Sequence, residues 1–180
     1  MSVDQISHAI QNTAYFTAVR ESGLLYPVLL SSHLAMIAVF GGLILMTDLR
    51  LLNVALKGIP ASEVVAKTRP WKHAGLMIMI LLGIHLGGAK FADYYQNPYF
   101  LMKMSMLFLV FVHAMIFRRS VYRNPAALDA PAGPPAAAKV AAIVSLFIWL
   151  GILSCGRLIA YWDNPNDQSG RPPASLHRTK

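Results

Sequence analysis

The sequence predicts an all-α protein, a four-helix transmembrane bundle preceded by an amphipathic helix on the membrane surface. Three observations predict it. Of the 180 residues, 56% are hydrophobic and only 13% are charged, a balance outside that of soluble domains. Four apolar runs, Leu24–Met46, Trp71–Gly88, Pro98–Phe117 and Val140–Tyr161, approach or exceed the roughly 18 to 20 residues a helix needs to cross hydrocarbon. Ahead of them, Ile6, Ile10, Tyr15, Phe16 and Val19 recur at nearly helical spacing in an otherwise polar stretch, as in a helix lying on an interface.

Three regions follow: residues 1–23 as the interfacial helix, 24–162 as the transmembrane domain, and 163–180 as a polar tail, extended or disordered. The loop Thr47–Pro70 is moderately polar and is expected to hold a short surface helix around Ala61–Lys67. The second span, starting after Pro70, is short enough to require an upright helix or a thinned bilayer. Gly88–Asn97 reads as a short connection. Arg118–Ala138 contains "ALDAPAGPPAAA", a Pro/Ala linker without the patterning of a packed element.

The net charge of +8 would suggest nucleic acid in a soluble chain. Here the bases sit in loops beside spans, where retention on the cytoplasmic side accounts for them. Arg50, Lys57, Lys67, Arg69 and Lys72 fall in the first loop, and Arg118, Arg119, Arg123 and Lys139 in the third. Their excess predicts both termini on the outer, periplasmic side of a bacterial inner membrane. The single cysteine, Cys155, excludes an internal disulfide and behaves as a small hydrophobe within a span. Residues Met1–Arg20 lack the basic and apolar regions of a signal peptide.

Ionisable side chains inside spans are costly and usually functional. Of six histidines, four lie in or at the edge of the apolar runs. Counted along the helix axis, His33 stands roughly 20 Å from Met46 and His85 roughly 21 Å from Trp71. His73 stands roughly 3 Å from Trp71 and His113 roughly 6 Å from Phe117. The four therefore sort into an outer pair, His33 and His85, and an inner pair, His73 and His113. Two imidazoles at one depth on neighbouring helices are what bis-histidine haem ligation needs. Gly41, Gly42, Gly75, Gly83, Gly87 and Gly88 would leave room for a porphyrin. Arg118, Arg119 and Lys72 on one side, and Arg157 or Lys90 on the other, would pair with propionates. Against this stand ordinary roles: a solvated interfacial His73, packing hydrogen bonds from His33 and His113, and a snorkelling Arg157.

Met102 and Met106 in "MKMSM" lie one helical turn apart, a spacing that suits Cu(I) but is also common gap-filling. Asp48 and Arg50 at the end of the first span are expected to pair with each other, or Asp48 with a base from the third loop. The spans carry no chain of carboxylates for proton pumping, and no nucleophile with a base and an orienting group.

The stretches "ESGLLYPVLLSSHLAMIAVFGGLILMTDLRLL", "PWKHAG" and "NPYFLMKMSMLFLVFVHAMIF" resemble a bacterial family of four-span membrane proteins catalogued as a domain of unknown function. The likeness covers about Arg20 to Tyr161 and implies topology rather than activity. More distantly, the layout is similar to four-helix dihaem b-type cytochromes and to the membrane proteins of copper resistance, an analogy of architecture alone. The leading expectation is thus a b-type cytochrome-like electron-transfer subunit, with one or two haem b groups on His33, His85, His73 and His113. It would exchange electrons with a redox partner protein or a quinone. The alternatives are a cofactor-free accessory subunit of a respiratory or photosynthetic complex, and a copper-handling membrane protein.

Overall fold

A computed structural model describes residues 2–118 and 124–162, and every regular element among them is helical. Four helices are long and apolar enough to cross a membrane: α3 (Leu25–Leu51), α4 (Ala61–Ala89), α6 (Pro98–Arg118) and α8 (Ala136–Leu158), the last extended by a 3-10 turn at Ile159–Tyr161. The expected bundle of four spans is therefore present. The helices alternate in direction, giving a terminal end, where α4 hands over to α6, and a loop end, where α3 hands over to α4 and α6 to α8.

The N-terminal region is two helices where one was expected, α1 (Val3–Gln11) and α2 (Ala14–Glu21). Ser2 and Gln5 form a capping box that starts α1. At the break, the Thr13 hydroxyl accepts from the Phe16 amide and starts α2 afresh, because a hydroxyl at that position satisfies an amide the helix leaves unpaired. Both helices are tied to the rest of the chain. Arg20 donates to the Gln11 carbonyl (3.2 Å) and the Ala89 carbonyl (3.4 Å), spanning α1, α2 and the end of α4. The Gln11 side chain accepts from the Ala92 amide at 2.7 Å, and the Tyr95 hydroxyl donates to Asp4 at 2.8 Å. The tip of the Phe16 ring abuts Gly88, where a side chain would collide with it.

Helix α4 corrects two boundaries. The expected surface helix and second span are one continuous helix of 29 residues, running straight through Pro70. A proline inside a helix removes one backbone bond and crowds the preceding turn. Packing of the turns ahead of it outweighs that cost here: Ala61 and Val65 belong to the buried cluster at the loop end, and Thr68 is buried against Thr47. At about 1.5 Å per residue the helix is also long enough to cross without thinning the bilayer.

The Pro/Ala linker is likewise not featureless. It contains α7 (Pro125–Leu128), and Leu128, 1% exposed, joins Leu51, Ala61, Val65, Ala138, Ala141 and Ala142 in the buried cluster. Four of those seven are alanines, which let helix backbones approach closely. The connection before α6 holds one further turn, α5 (Phe91–Tyr94). Asn97 starts α6 by accepting from the Tyr99 and Phe100 amides, while its own amide group donates to the Ile159 carbonyl at 3.2 Å.

The packed span pairs are α3 with α4, α3 with α8, and α6 with α8. Helices α4 and α6 are not among these closely packed pairs, so in the order α4–α3–α8–α6 the side between them is the most open of the four. Contacts are made through glycine notches. The Phe40 ring fills the one at Gly75 and stands edge-on to Trp149 (5.4 Å), whose indole fills the one at Gly41. Met106 fills the notch at Gly151.

Candidate functional site

The six histidine and arginine positions that are described, and that the sequence offers as cofactor residues, scatter over the bundle. His33, half-buried on α3, faces α4: its Cε1 lies 3.9 Å from where a Cβ on Gly83 would stand. Its Nδ1 is shut away from solvent and has no hydrogen-bond partner. His85 is two residues beyond Gly83, about 200° further round the helix, and so leaves α4 on nearly the opposite side. There it meets Tyr15 of α2 edge-on at 5.8 Å, and its Nδ1–H donates to the Leu81 carbonyl at 2.6 Å. His85 stands two residues from the glycine that His33 meets, but the two rings do not face one another.

The inner pair is separated too. His73 is exposed on α4. His113 turns from α6 towards α8, where its Nε2–H donates to the Ala141 carbonyl at 2.9 Å and its ring lies 5.0 Å from Phe117. Arg118 is exposed at the end of α6. Arg157 folds back on its own helix, donating to the Tyr161 hydroxyl at 2.6 Å with its guanidinium over that ring. Arg119 lies outside the described residues.

A haem held between His33 and His85 would need a gap between α3 and α4. These helices meet directly, at Gly75 beneath Phe40 and at Gly83 beneath His33. As packed, they leave no room for a porphyrin plane between them. Among the described residues, no group of three or more His, Cys, Asp or Glu converges as a metal site. Met102 and Met106 part company as well: Met106 is in the α6–α8 contact, whereas Met102 is 45% exposed.

What the fold does bring together is two polar clusters. At the loop end, the Thr47 and Thr68 hydroxyls stand 3.1 Å apart, each 2.8 Å from a carbonyl of its own helix, Leu43 or Val64. Lys72 donates to Thr47 at 3.3 Å. Asp48 is buried beside them, within the field of Lys72 and hydrogen-bonded by Ser145 of α8. The expected partner Arg50 turns the other way, to the Ile59 carbonyl (2.7 Å) and Asn53 (3.2 Å). It thereby pins the loop after α3, in which Asn53 and Leu56 adopt positive φ.

The second cluster lies at the terminal end. Lys103 reaches from α6 to α8, its Nζ 3.6 Å from where a Cβ on Gly156 would stand. Above it, Lys90 lies over the Tyr26 ring at 5.3 Å. Tyr94, hydrogen-bonded with Tyr26, is held well above the usual phenol range by burial first and by Tyr26 second. Its position, five residues inside an apolar run, is what marks Lys103 in the sequence.

Outside the spans, Asp129 accepts from both the hydroxyl and the backbone amide of Ser62, the latter at 3.2 Å. These bonds, the hydroxyl's first, hold its carboxyl below the usual range, since hydrogen bonds to a carboxylate favour the charged form. Asp129 thus ties the start of α4 to the linker.

Four apolar helices with apolar residues over their outward faces define a multi-pass helical membrane protein. The chain belongs to a family of unknown function, DUF6644, whose model matches residues 12–162. No curated protein and no solved structure matches it, so the distant likeness to cytochromes and copper-resistance proteins gains no support.

Proposed function

We propose that the chain is a non-catalytic accessory subunit of a larger complex in the bacterial inner membrane, with both termini on the periplasmic side. The observation that carries this reading is the most open side of the bundle, between α4 and α6. Helix α6 has no buried residue and packs on α8, while α4 packs on α3. Membrane helices associate by close packing of small and polar residues, and a partner helix seated between α4 and α6 would complete the fourth wall. The Thr47–Thr68 pair, Lys72 and His113 support the same reading, because they are engaged in holding this chain's own helices together. The charge asymmetry of the loops supports the orientation.

The second reading is the haem b electron-transfer subunit. Two observations favour it: the His85 Nδ1–H is held by a carbonyl, which leaves Nε2 as the nitrogen a metal would meet, and the His33 Nδ1 has no partner. A bound haem would supply one-electron transfer, and a quinone or redox protein would then be the exchange partner. This reading requires α3 and α4 to part and α4 to rotate. Copper handling is the weakest of the three, since Met106 is engaged at Gly151.

One preparation tests all three. The chain is purified from membranes of haem-replete cells in mild detergent, after photo-crosslinking from the exposed Ile84 of α4 and Phe111 of α6. Adducts with a second membrane protein, together with a flat reduced-minus-oxidised spectrum, are expected. An α band with stoichiometric haem would replace this reading by the second. Bound copper lost on Met106→Leu would replace it by the third.

A further inference from the structure

At the loop end, where α3 stops and the chain turns towards α4, the fold leaves a cavity of about 310 Å³ between two connections. One wall is Arg50 with residues 53 and 57–60, and the other is the linker over residues 128–130, 133 and 134. The volume falls at the lower end of the range that small-molecule sites occupy.

Both walls are pinned by the chain's own bonds. Arg50 donates to the Ile59 carbonyl (2.7 Å) and to the Asn53 Oδ1 (3.2 Å). Asp129 is held by Ser62 at the start of α4. The linker turns at Gly133 with φ 85°, a conformation that glycine adopts freely and other residues resist. There it comes up to the first wall, with the Asn53 Nδ2 4.0 Å from where a Cβ on Gly133 would stand. The cavity is formed before anything enters it.

The first wall is rich in uncommitted donors. A guanidinium carries five N–H groups, and Arg50 spends only Nε and Nη1 on the loop. Both of its acceptors are neutral oxygens, although the side chain is buried. Among the described residues Arg50 forms no ion pair, whereas buried charges are ordinarily paired. Lys57 is exposed on the same wall and, among the described residues, has neither a hydrogen bond nor an ion pair. Asp129 brings one carboxylate to the cavity, and each of its oxygens already accepts from Ser62. Two cations against one engaged carboxylate leave the cavity short of negative charge.

We propose that this cavity binds a phosphate ester, with Arg50 and Lys57 on the phosphate and Asp129 accepting from a hydroxyl of the organic part. The planar fork of arginine and the point charge of lysine both suit phosphate. A tetrahedral group also spreads its oxygens in several directions and so can meet donors from two residues of one loop. A soluble phosphate ester and the glycerophosphate headgroup of an anionic phospholipid share this chemistry. The site needs no partner protein and no haem, so it goes beyond the accessory-subunit reading without resting on it.

The test uses the full-length protein in mild detergent and two kinds of probe. Glycerol 3-phosphate is followed by equilibrium dialysis, and phosphatidylglycerol is compared with phosphatidylcholine by native mass spectrometry. Saturable binding is expected, weakened roughly tenfold or more in Arg50→Met and several-fold in Lys57→Met. Binding of glycerol 3-phosphate assigns the site to a soluble ester; selective retention of phosphatidylglycerol alone assigns it to a headgroup. Arg50→Met also releases the loop, so Lys57→Met, a change at an exposed residue, decides where the arginine variant does not fold. No binding of glycerol 3-phosphate, together with no preference for phosphatidylglycerol, overturns the proposal. So does parent-like binding in Lys57→Met or in a folded Arg50→Met.

Discussion

Replacing His113 by phenylalanine separates the two roles this side chain has been given. The ring is kept, and with it the contact to Phe117 at 5.0 Å; what is lost is the bond from Nε2 to the Ala141 carbonyl at 2.9 Å. That carbonyl lies inside α8, where it retains its helical amide, so no acceptor is stranded. The cost is then that of one interhelical hydrogen bond in a bilayer, about 0.6 kcal/mol on average and about 1.7 at most. His113→Ala also removes the ring from a half-buried position, and should cost about 1 kcal/mol more through the lost aromatic contact. Reversible unfolding in mixed micelles, followed by tryptophan fluorescence, measures both. A loss above about 3 kcal/mol for the phenylalanine variant would refute the reasoning, as would the disappearance of a visible absorption band.

Two further outcomes follow from contacts outside the histidines. Gly88→Val puts a branched side chain where the Phe16 ring lies; overpacking of this kind costs about 1 to 3 kcal/mol, and the effect should be local. Faster amide exchange over residues 14–21 with unchanged exchange in α8 is expected, and uniform protection would count against the docking of α2. Asp129, whose carboxyl is held low by Ser62, contributes stability that is present above its ordinary pKa of 3.8 and lost as pH falls through the lower folded value. Asp129→Asn should therefore be the less stable protein at pH 7 and converge with the parent in acid, the difference being small because the group is exposed. A gap that widened on acidification would show the sign to be wrong.

The spans were legible in the sequence because length and hydrophobicity alone decide whether a helix can cross a bilayer. Level along the helix axis follows from the fixed rise per residue, and His33 and Gly83 do meet across α3 and α4. Azimuth does not. Whether two rings at one depth face each other depends on which helices are neighbours and which stripe each buries, and the chain order suggests four equally closed walls where the side between α4 and α6 is the most open. Gly83 turned out to carry more information than His85, because the residue lacking a side chain marks where the next helix lies. Pro70 misled for a related reason: a local stop signal was outweighed by Val65 and Thr68 packing on distant parts of the chain. Leu128 was hidden in a segment whose composition is that of a linker, and a single buried leucine leaves no periodicity to find.

The clasp between Phe16 and Gly88 also sets an order of events during synthesis. The two residues are 72 positions apart (88 − 16), so at translation rates of roughly 5 to 20 residues per second, α2 waits roughly 4 to 14 s for its seat to be made. Throughout that interval its aromatic face has no protein to cover it. Helix α3 can insert in the meantime, but the N-terminal pair can close over the bundle only after α4 has crossed. Arg20, bonded to both Gln11 and Ala89, then acts as a latch that registers completion of the first hairpin. A chain whose second helix failed to cross would leave that latch open and its N-terminus accessible to quality-control proteases.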